Sequence, residues 1–249
     1  MTSRSLRPLA VSVIVPVLNE ADRVKACLHR LRRDFPTCEL IVVDGGSCDG
    51  SVELARPLAR VITTSPGRGR QLDAGAQAAT GDVLWFHHVD TVVAAAAYGQ
   101  LLAALGDARV VGGGLTLAFD RSSLGLAFLA WSSNLRARRL GWVFGDQAMF
   151  VRRSAFDAAG GFGDLPLMED LELSRRLHRC GRLVVLPATS TASTRRFDAH
   201  GTWRMVAFMQ YLKVLHLAGV DPHELCRRYA AGPASLLPRP RPVTSKDLR

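Results

Sequence analysis

A chain of 249 residues with 48% hydrophobic and 22% charged residues is long enough to bury a large core and too apolar for wholesale disorder. Its formal net charge of +10 rests on 29 arginines and only 3 lysines, which favours anionic partners such as a nucleotide diphosphate or an acidic membrane surface. The arginines are scattered and no aromatic residues interleave with a basic stripe, so nucleic acid is not an expected partner. Cys27, Cys38, Cys48, Cys180 and Cys226 form no C-x-x-C pair and suit free thiols in a reducing compartment. A cytoplasmic protein is therefore expected, with contact at the inner face of the membrane as a further option.

Arg4 and Arg7 precede an apolar run from Leu9 to Leu18. No small-residue cleavage site follows, so the run reads as a first buried strand, with Val11 to Val17 as its β-branched centre. Asn19 is placed to cap the next helix, in which Val24, Cys27, Leu28 and Leu31 fall at i, i+3, i+4 and i+7. Leu40 to Val43 reads as a second strand ending in the turn Asp44-Gly45-Gly46-Ser47. Val61 to Thr63 reads as a short third strand, Arg68 to Ala79 as a helix and Val83 to His87 as a fourth strand. Strands alternating with helices at this spacing imply βαβ units and a mainly parallel sheet. The polar clusters Asn19-Glu20, Asp44 and His88-Val89-Asp90 all follow strands, where ligands of such sheets bind.

The second half is less regular. Val93 to Leu105 reads as an Ala-rich helix, and Val110 to Phe119, with Gly112-Gly113-Gly114, as a strand or bulge with close backbone approach. Helices are expected over Leu124 to Leu140 and Leu171 to Arg179, and strands over Gln147 to Val151 and Leu183 to Leu186. Met205, Phe208, Met209, Leu212 and Leu215 form an apolar face on a late helix beside Trp203, either core or a face resting on a membrane. The expected organisation is one domain over 1–231, with a nucleotide-binding half at about 10–92 and an acceptor half at about 93–231. A loose tail rich in Pro and Arg covers 232–249. No stretch reaches the ~18 uninterrupted apolar residues of a membrane span.

Val15-Pro16-Val17-Leu18-Asn19-Glu20, Ile41-Val42-Val43-Asp44-Gly45-Gly46-Ser47, His87-His88-Val89-Asp90-Thr91 and Met168-Glu169-Asp170-Leu171, in that order, resemble the motifs of family two glycosyltransferases. Within that family they are most similar to a small single-domain bacterial subgroup. The resemblance implies an α/β, Rossmann-like GT-A fold with a mixed, mainly parallel sheet flanked by helices. It also implies an inverting transfer from a nucleotide sugar, with UDP-sugar favoured, to an acceptor hydroxyl, and a divalent cofactor, Mn2+ or Mg2+. Such a transfer must stabilise a departing diphosphate and remove a proton from the attacking alcohol.

Carried onto this chain, the resemblance places Asp90 at the metal, and Asp170 beside Glu169 as the general base. Pro16, Leu18, Glu20 and Asp44 would line the base and ribose pocket. His88 stands where the family has the first Asp of its D-x-D element, and Gly45 where a second Asp often follows, leaving room for a different base. Arg70, with Arg68 in reserve, opens the helix suited to a diphosphate. Asp146 and Gln147 would meet an acceptor, for which a lipid-linked alcohol is one candidate. Two other readings stay open. One is a sugar-phosphate nucleotidyltransferase, whose glycine-rich signature Gly67-Arg68-Gly69-Arg70 partly resembles, although it stands before the fourth strand instead of after the first. The other is a non-catalytic protein that binds nucleotide sugars.

Overall fold

The computed structural model describes residues 8–233. Of the tail expected from residue 232, only Gly232 and Pro233 fall within them. The chain runs through β1 (Val11–Val17), α1 (Ala21–Asp34), β2 (Glu39–Asp44), α2 (Ser51–Ala55), β3 (Arg60–Thr63), α3 (Arg68–Ala78) and β4 (Val83–Phe86). It continues through β5 (Val92–Val93), α4 (Ala97–Ala104), β6 (Val110–Phe119), α5 (Leu124–Leu140), a 3-10 turn (Gly145–Gln147), β7 (Phe150–Arg152) and α6 (Arg153–Ala158). The last elements are α7 (Glu169–Leu177), β8 (Arg182–Ala192), α8 (Arg195–His200), α9 (Thr202–Leu217) and α10 (Pro222–Ala231).

Among the described residues the strands join in one eight-stranded sheet of order β3-β2-β1-β4-β7-β6-β8-β5. β3, β2, β1 and β4 are parallel, as their spacing by helices requires. The direction reverses at the β4–β7 seam and again between β7 and β6; β8 then runs parallel to β6, and β5 antiparallel to β8. The α/β expectation is met.

Successive side chains of a strand face opposite ways, and each face of this sheet has its own core. Val13, Val15, Leu40, Val42, Trp85 and Phe150 pack with Val24, Cys27, Leu28 and Leu31 of α1, the four positions read from the helical spacing. Ile14, Ile41, Val43, Leu84, Phe86 and Val151 pack with Leu72 and Ala76 of α3, Phe156 of α6 and Leu173 and Leu177 of α7. Covering both faces is what makes the parallel strands near-continuous apolar runs. Each such Val or Leu contributes about 1.5–3 kcal/mol on burial. The one polar atom of Trp85 is matched too: its Nε1 donates to the carbonyl of Ala148 at 3.0 Å.

Asn19 does not cap α1. It sits at φ +53°, where its Oδ1 accepts from the amide of Cys48 at 3.0 Å and its own amide donates to Ser47 Oγ at 2.9 Å. The opening amides of α1 are met from the same neighbouring loop: Glu20 N donates to Ser51 Oγ and Ala21 N to Asp49 Oδ2, both at 2.9 Å. The loops after β1 and β2 are thus one locked unit.

The chain divides after Thr194 into two compact units, where the sequence suggests a single domain to residue 231. In the second unit α9 packs with α8 and α10. Met205, Phe208 and Leu212 of the expected apolar face are buried, while Trp203, Val214 and Leu217 are exposed. All five cysteines are free. Among the described residues no helix is long and apolar enough to cross a membrane.

Candidate active site

Parallel strands direct their carboxyl ends to one edge of the sheet, so the loops after β1, β2 and β4 meet there. Opposite them stand the first turns of α3 and α7. Those two turns approach because of Gly69, where a Cβ would lie 3.0 Å from the Gly163 carbonyl oxygen and 3.6 Å from Glu169 Cβ. Asp73, one turn further along α3, fixes the approach: its carboxylate accepts from the amides of Phe162 and Gly163 at 2.8 and 3.0 Å. α7 then begins at Met168, held at φ +66°, and carries Glu169, Asp170 and Glu172 in its first turn, where the helix dipole favours negative charge.

The result is an ion cluster. Glu169 and Asp170 are buried. Arg68 donates from Nε to Glu169 and from Nη2 to Asp170 Oδ2 at 3.4 Å. Asp170 Oδ2 also accepts from the amide of Gly145 at 2.9 Å. Burial raises the Asp170 carboxyl to about 6, Arg68 opposes that rise, and the charges of Glu169 and Asp146 add to it. The two carboxylates in turn hold the Arg68 guanidinium firmly protonated against its own burial.

Gly145 is also where His88 arrives. A Cβ on Gly145 would lie 2.4 Å from His88 Nε2, so the glycine admits the imidazole beside the carboxylate pair. Arg68, Leu72, Phe86, His87, His88, Gly145, Met149, Phe162, Glu169 and Asp170 line one small pocket. His87 itself turns to the core, its ring 4.5 Å from that of Trp85, and burial lowers its pKa to about 3. Asp90 lies on the turn closed by the Thr91 amide donating to the His88 carbonyl. It is partly exposed, and its charge acts on Arg23 and Cys27 of α1.

Several side chains singled out from the sequence have other work. Gln147 is 0% exposed and cannot touch an acceptor: its Nε2 donates to the Leu115 carbonyl at 3.2 Å and to Asn134 Oδ1 at 3.4 Å. Arg70 forms an exposed fork with Asp164, at 2.8 and 3.2 Å, and Arg68 takes the place in the pocket. Helical phase distinguishes them, since Arg68 shares the inward stripe of Leu72 and Gly75 at i, i+4 and i+7. Asp44 closes its own turn, accepting from the amides of Gly46 at 2.9 Å and Ser47 at 3.1 Å. Glu20 pairs with Arg23 at 2.7 Å. Pro16 is partly buried and Leu18 exposed at the end of β1. Asp146 acts by charge on Arg68, Arg136 and Asp170, so it belongs to the cluster.

Gln71 was not legible as a site residue. Its Nε2 bridges the carbonyls of Val17 and Val43 at 2.9 and 2.8 Å, tying β1 to β2. Its side chain also fills the space beside Gly45, where a Cβ would meet it at 3.1 Å. The absent acidic side chain at Gly45 therefore opens no extra room.

Comparison with known proteins fits this geometry. The model of the family described as glycosyl transferase family 2 matches residues 12–156. The succinoglycan biosynthesis protein ExoA of Rhizobium meliloti (strain 1021) is 36% identical over 61 residues, 24% of this chain and 18% of that protein. The glycosyltransferase AglE of Haloferax volcanii is 47% identical over 49 residues, 18% of this chain and 16% of that one. The chain thus matches under a fifth of the length of either curated relative. Among solved structures, the mannosyltransferase PcManGT from Pyrobaculum calidifontis, in complex with GDP-Man and Mn2+, superposes with a TM-score of 0.65 at 20% identity, covering 87% of this chain and 66% of that one. Glucosyl-3-phosphoglycerate synthase from Mycobacterium tuberculosis, with Mn2+, UDP and glucosyl-3-phosphoglycerate, gives a TM-score of 0.58 at 21% identity, covering 86% and 81%. At these identities the structural likeness is one of fold.

Proposed function

Since the chain belongs to glycosyl transferase family 2 and has the GT-A fold, we propose that it moves a sugar from a nucleotide-sugar donor to an acceptor hydroxyl with inversion at the anomeric carbon. UDP-sugar is the favoured donor. The observation that carries this reading is the meeting of His88 and Asp170 at Gly145. A donor-side turn and an acceptor-side carboxylate, distant in sequence, share one pocket.

In this mechanism Asp170 takes the proton of the acceptor hydroxyl as its oxygen attacks the anomeric carbon, and the nucleoside diphosphate leaves from the opposite face. A carboxyl raised to about 6 is ionised at neutral pH and yet a better base than an exposed aspartate. Arg68, its side chain 40% exposed, is the cation of the pocket able to turn toward the diphosphate. Each step it takes away from Asp170 removes the influence that holds the carboxyl down, strengthening the base as the donor seats. His88 orients a donor hydroxyl.

Among the described residues no three His, Cys, Asp or Glu side chains gather around a common point. That suits an ion held by one carboxylate, Asp90, and completed by substrate phosphates. A divalent ion so held supplies electrostatic stabilisation to the leaving diphosphate.

The test is a donor screen by mass spectrometry with and without Mn2+, on wild type, Asp90→Ala and Asp170→Asn. Asp90→Ala should lose the Mn2+-stimulated part of donor binding. Asp170→Asn should bind donor normally and lose about 10²–10⁴-fold in transfer. Transfer at the wild-type rate by Asp170→Asn removes it as the base. Release of pyrophosphate from a nucleoside triphosphate and a sugar phosphate would replace the reading with nucleotidyl transfer.

A further inference from the structure

α5 is docked on the sheet by one face only. Asn134 holds β6 by both ends, its Oδ1 accepting from the Leu117 amide at 2.8 Å and its Nδ2 donating to the Leu117 carbonyl at 3.0 Å. Leu126, Leu129 and Ala137 are buried on that side. The helix is well terminated: Ser123 Oγ accepts from the Leu126 amide at its start, and Gly141 adopts φ +64° at its end.

The outward face is nevertheless apolar. Leu124, Phe128, Trp131 and Leu135 follow at i, i+4, i+7 and i+11, and are 87%, 47%, 60% and 39% exposed. The rings of Phe128 and Trp131 lie 5.9 Å apart, so this is a contiguous patch and not a scatter of single residues. A helix apolar on both sides is ordinarily covered on both.

The surrounding charge says what covers it. From Arg121 to Gly145 the sequence holds Arg121, Arg136, Arg138 and Arg139 and no Asp or Glu. Arg138 continues the apolar stripe by one further turn, and with Arg139 it is exposed. A second copy of this chain is a poor occupant, because a two-fold contact sets the same patch against itself and would bring these arginines together with no acid of the patch to offset them. Leu, Phe and Trp edged by arginine is instead the make-up of a helix lying in the headgroup region of a bilayer. Arginine stems run along the apolar surface while their guanidinium groups reach anionic lipid.

We propose that α5 is a docking surface for an anionic bilayer, with Phe128 and Trp131 entering the headgroup boundary and Arg138 and Arg139 on lipid phosphates. The inference stands independently of sugar transfer.

Co-sedimentation of the full chain with phosphatidylcholine vesicles, with and without abundant phosphatidylglycerol, tests it. Wild type should pellet with the anionic vesicles and remain largely in solution with neutral ones. Phe128→Ser combined with Trp131→Ser should lower the partition more than about tenfold, and Arg138→Gln with Arg139→Gln should reduce it to the neutral-vesicle level. All four positions are exposed, so circular dichroism and the thermal midpoint should stay at wild-type values. Wild type that ignores anionic vesicles overturns the proposal, as does undiminished partition of the Phe128/Trp131 variant. A dimer in sedimentation velocity that Trp131→Ser dissolves, with vesicle partition unchanged, would assign the patch to a second copy and overturn it too.

Discussion

Asp170 is subject to two opposed demands. Its burial favours the neutral acid, whereas a base must be ionised at working pH, and Arg68 with the Gly145 amide supplies what ionisation needs. Because the folded carboxyl sits at about 6, above its ordinary value of 3.8, the folded chain holds an extra proton between those limits. Stability therefore falls as pH rises through that window, and the full cost is present above it. Asp170→Asn, which needs no ionisation, should be more stable than wild type by about 1–3 kcal/mol at pH ~8. The gain should vanish below pH ~4, where Asp170 is protonated in both states. Urea denaturation at the two pH values measures this, and equal stability of the two proteins at the higher pH would mean that burial is not what raises the carboxyl.

Among the elements, β6 shows how glycine sets a sheet. It is enclosed by β7 and β8, and a Cβ at Gly113 would fall 1.9 Å from the Val184 carbonyl oxygen, a backbone atom of β8 that cannot move without opening the pair. Gly113→Ala should cost about 3 kcal/mol or more, read as a fall in urea midpoint. Gly99, in α4 with nothing within 4 Å of its would-be Cβ, is the control: Gly99→Ala should stabilise by about 0.4–1 kcal/mol. The same contrast explains what was legible. β1, β2, β3 and β4 are evident from sequence because parallel strands covered on both faces are unbroken β-branched runs. The second half hides its pattern. Three successive glycines mask β6, β5 is only two residues long, and β8 runs to Ala192, well past Leu186, where Pro187 and polar residues obscure it. α2 and α6, of five and six residues, are too short for a helical period to register. In the site, Glu169, Asp170 and His88 were recognisable as motif residues. Gln147 and Arg70 were misassigned because spacing alone does not say whether an amide serves the backbone or which way an arginine turns.

For the whole molecule, the sheet makes the site cooperative. Its parallel half presents the loops that would hold the donor, and β7, paired antiparallel to β4, leads from the Gly145 turn on the acceptor side. A nucleotide bound across that seam contacts both halves of the unit ending at Thr194, and binding to the folded state alone raises its stability by mass action. UDP with Mn2+ at about 100 times its dissociation constant should add about 2.7 kcal/mol. For a chain of this size that raises the calorimetric midpoint by about 5–10 °C. Asp90→Ala should retain whatever shift UDP produces alone and gain nothing more from Mn2+, since the carboxylate that would share the ion with the phosphates is gone. A Mn2+-dependent increment of the same size in Asp90→Ala would move the ion to other ligands. No shift in wild type with UDP, alongside a shift with another nucleoside diphosphate, would instead reassign the donor base and leave the rest of the site intact.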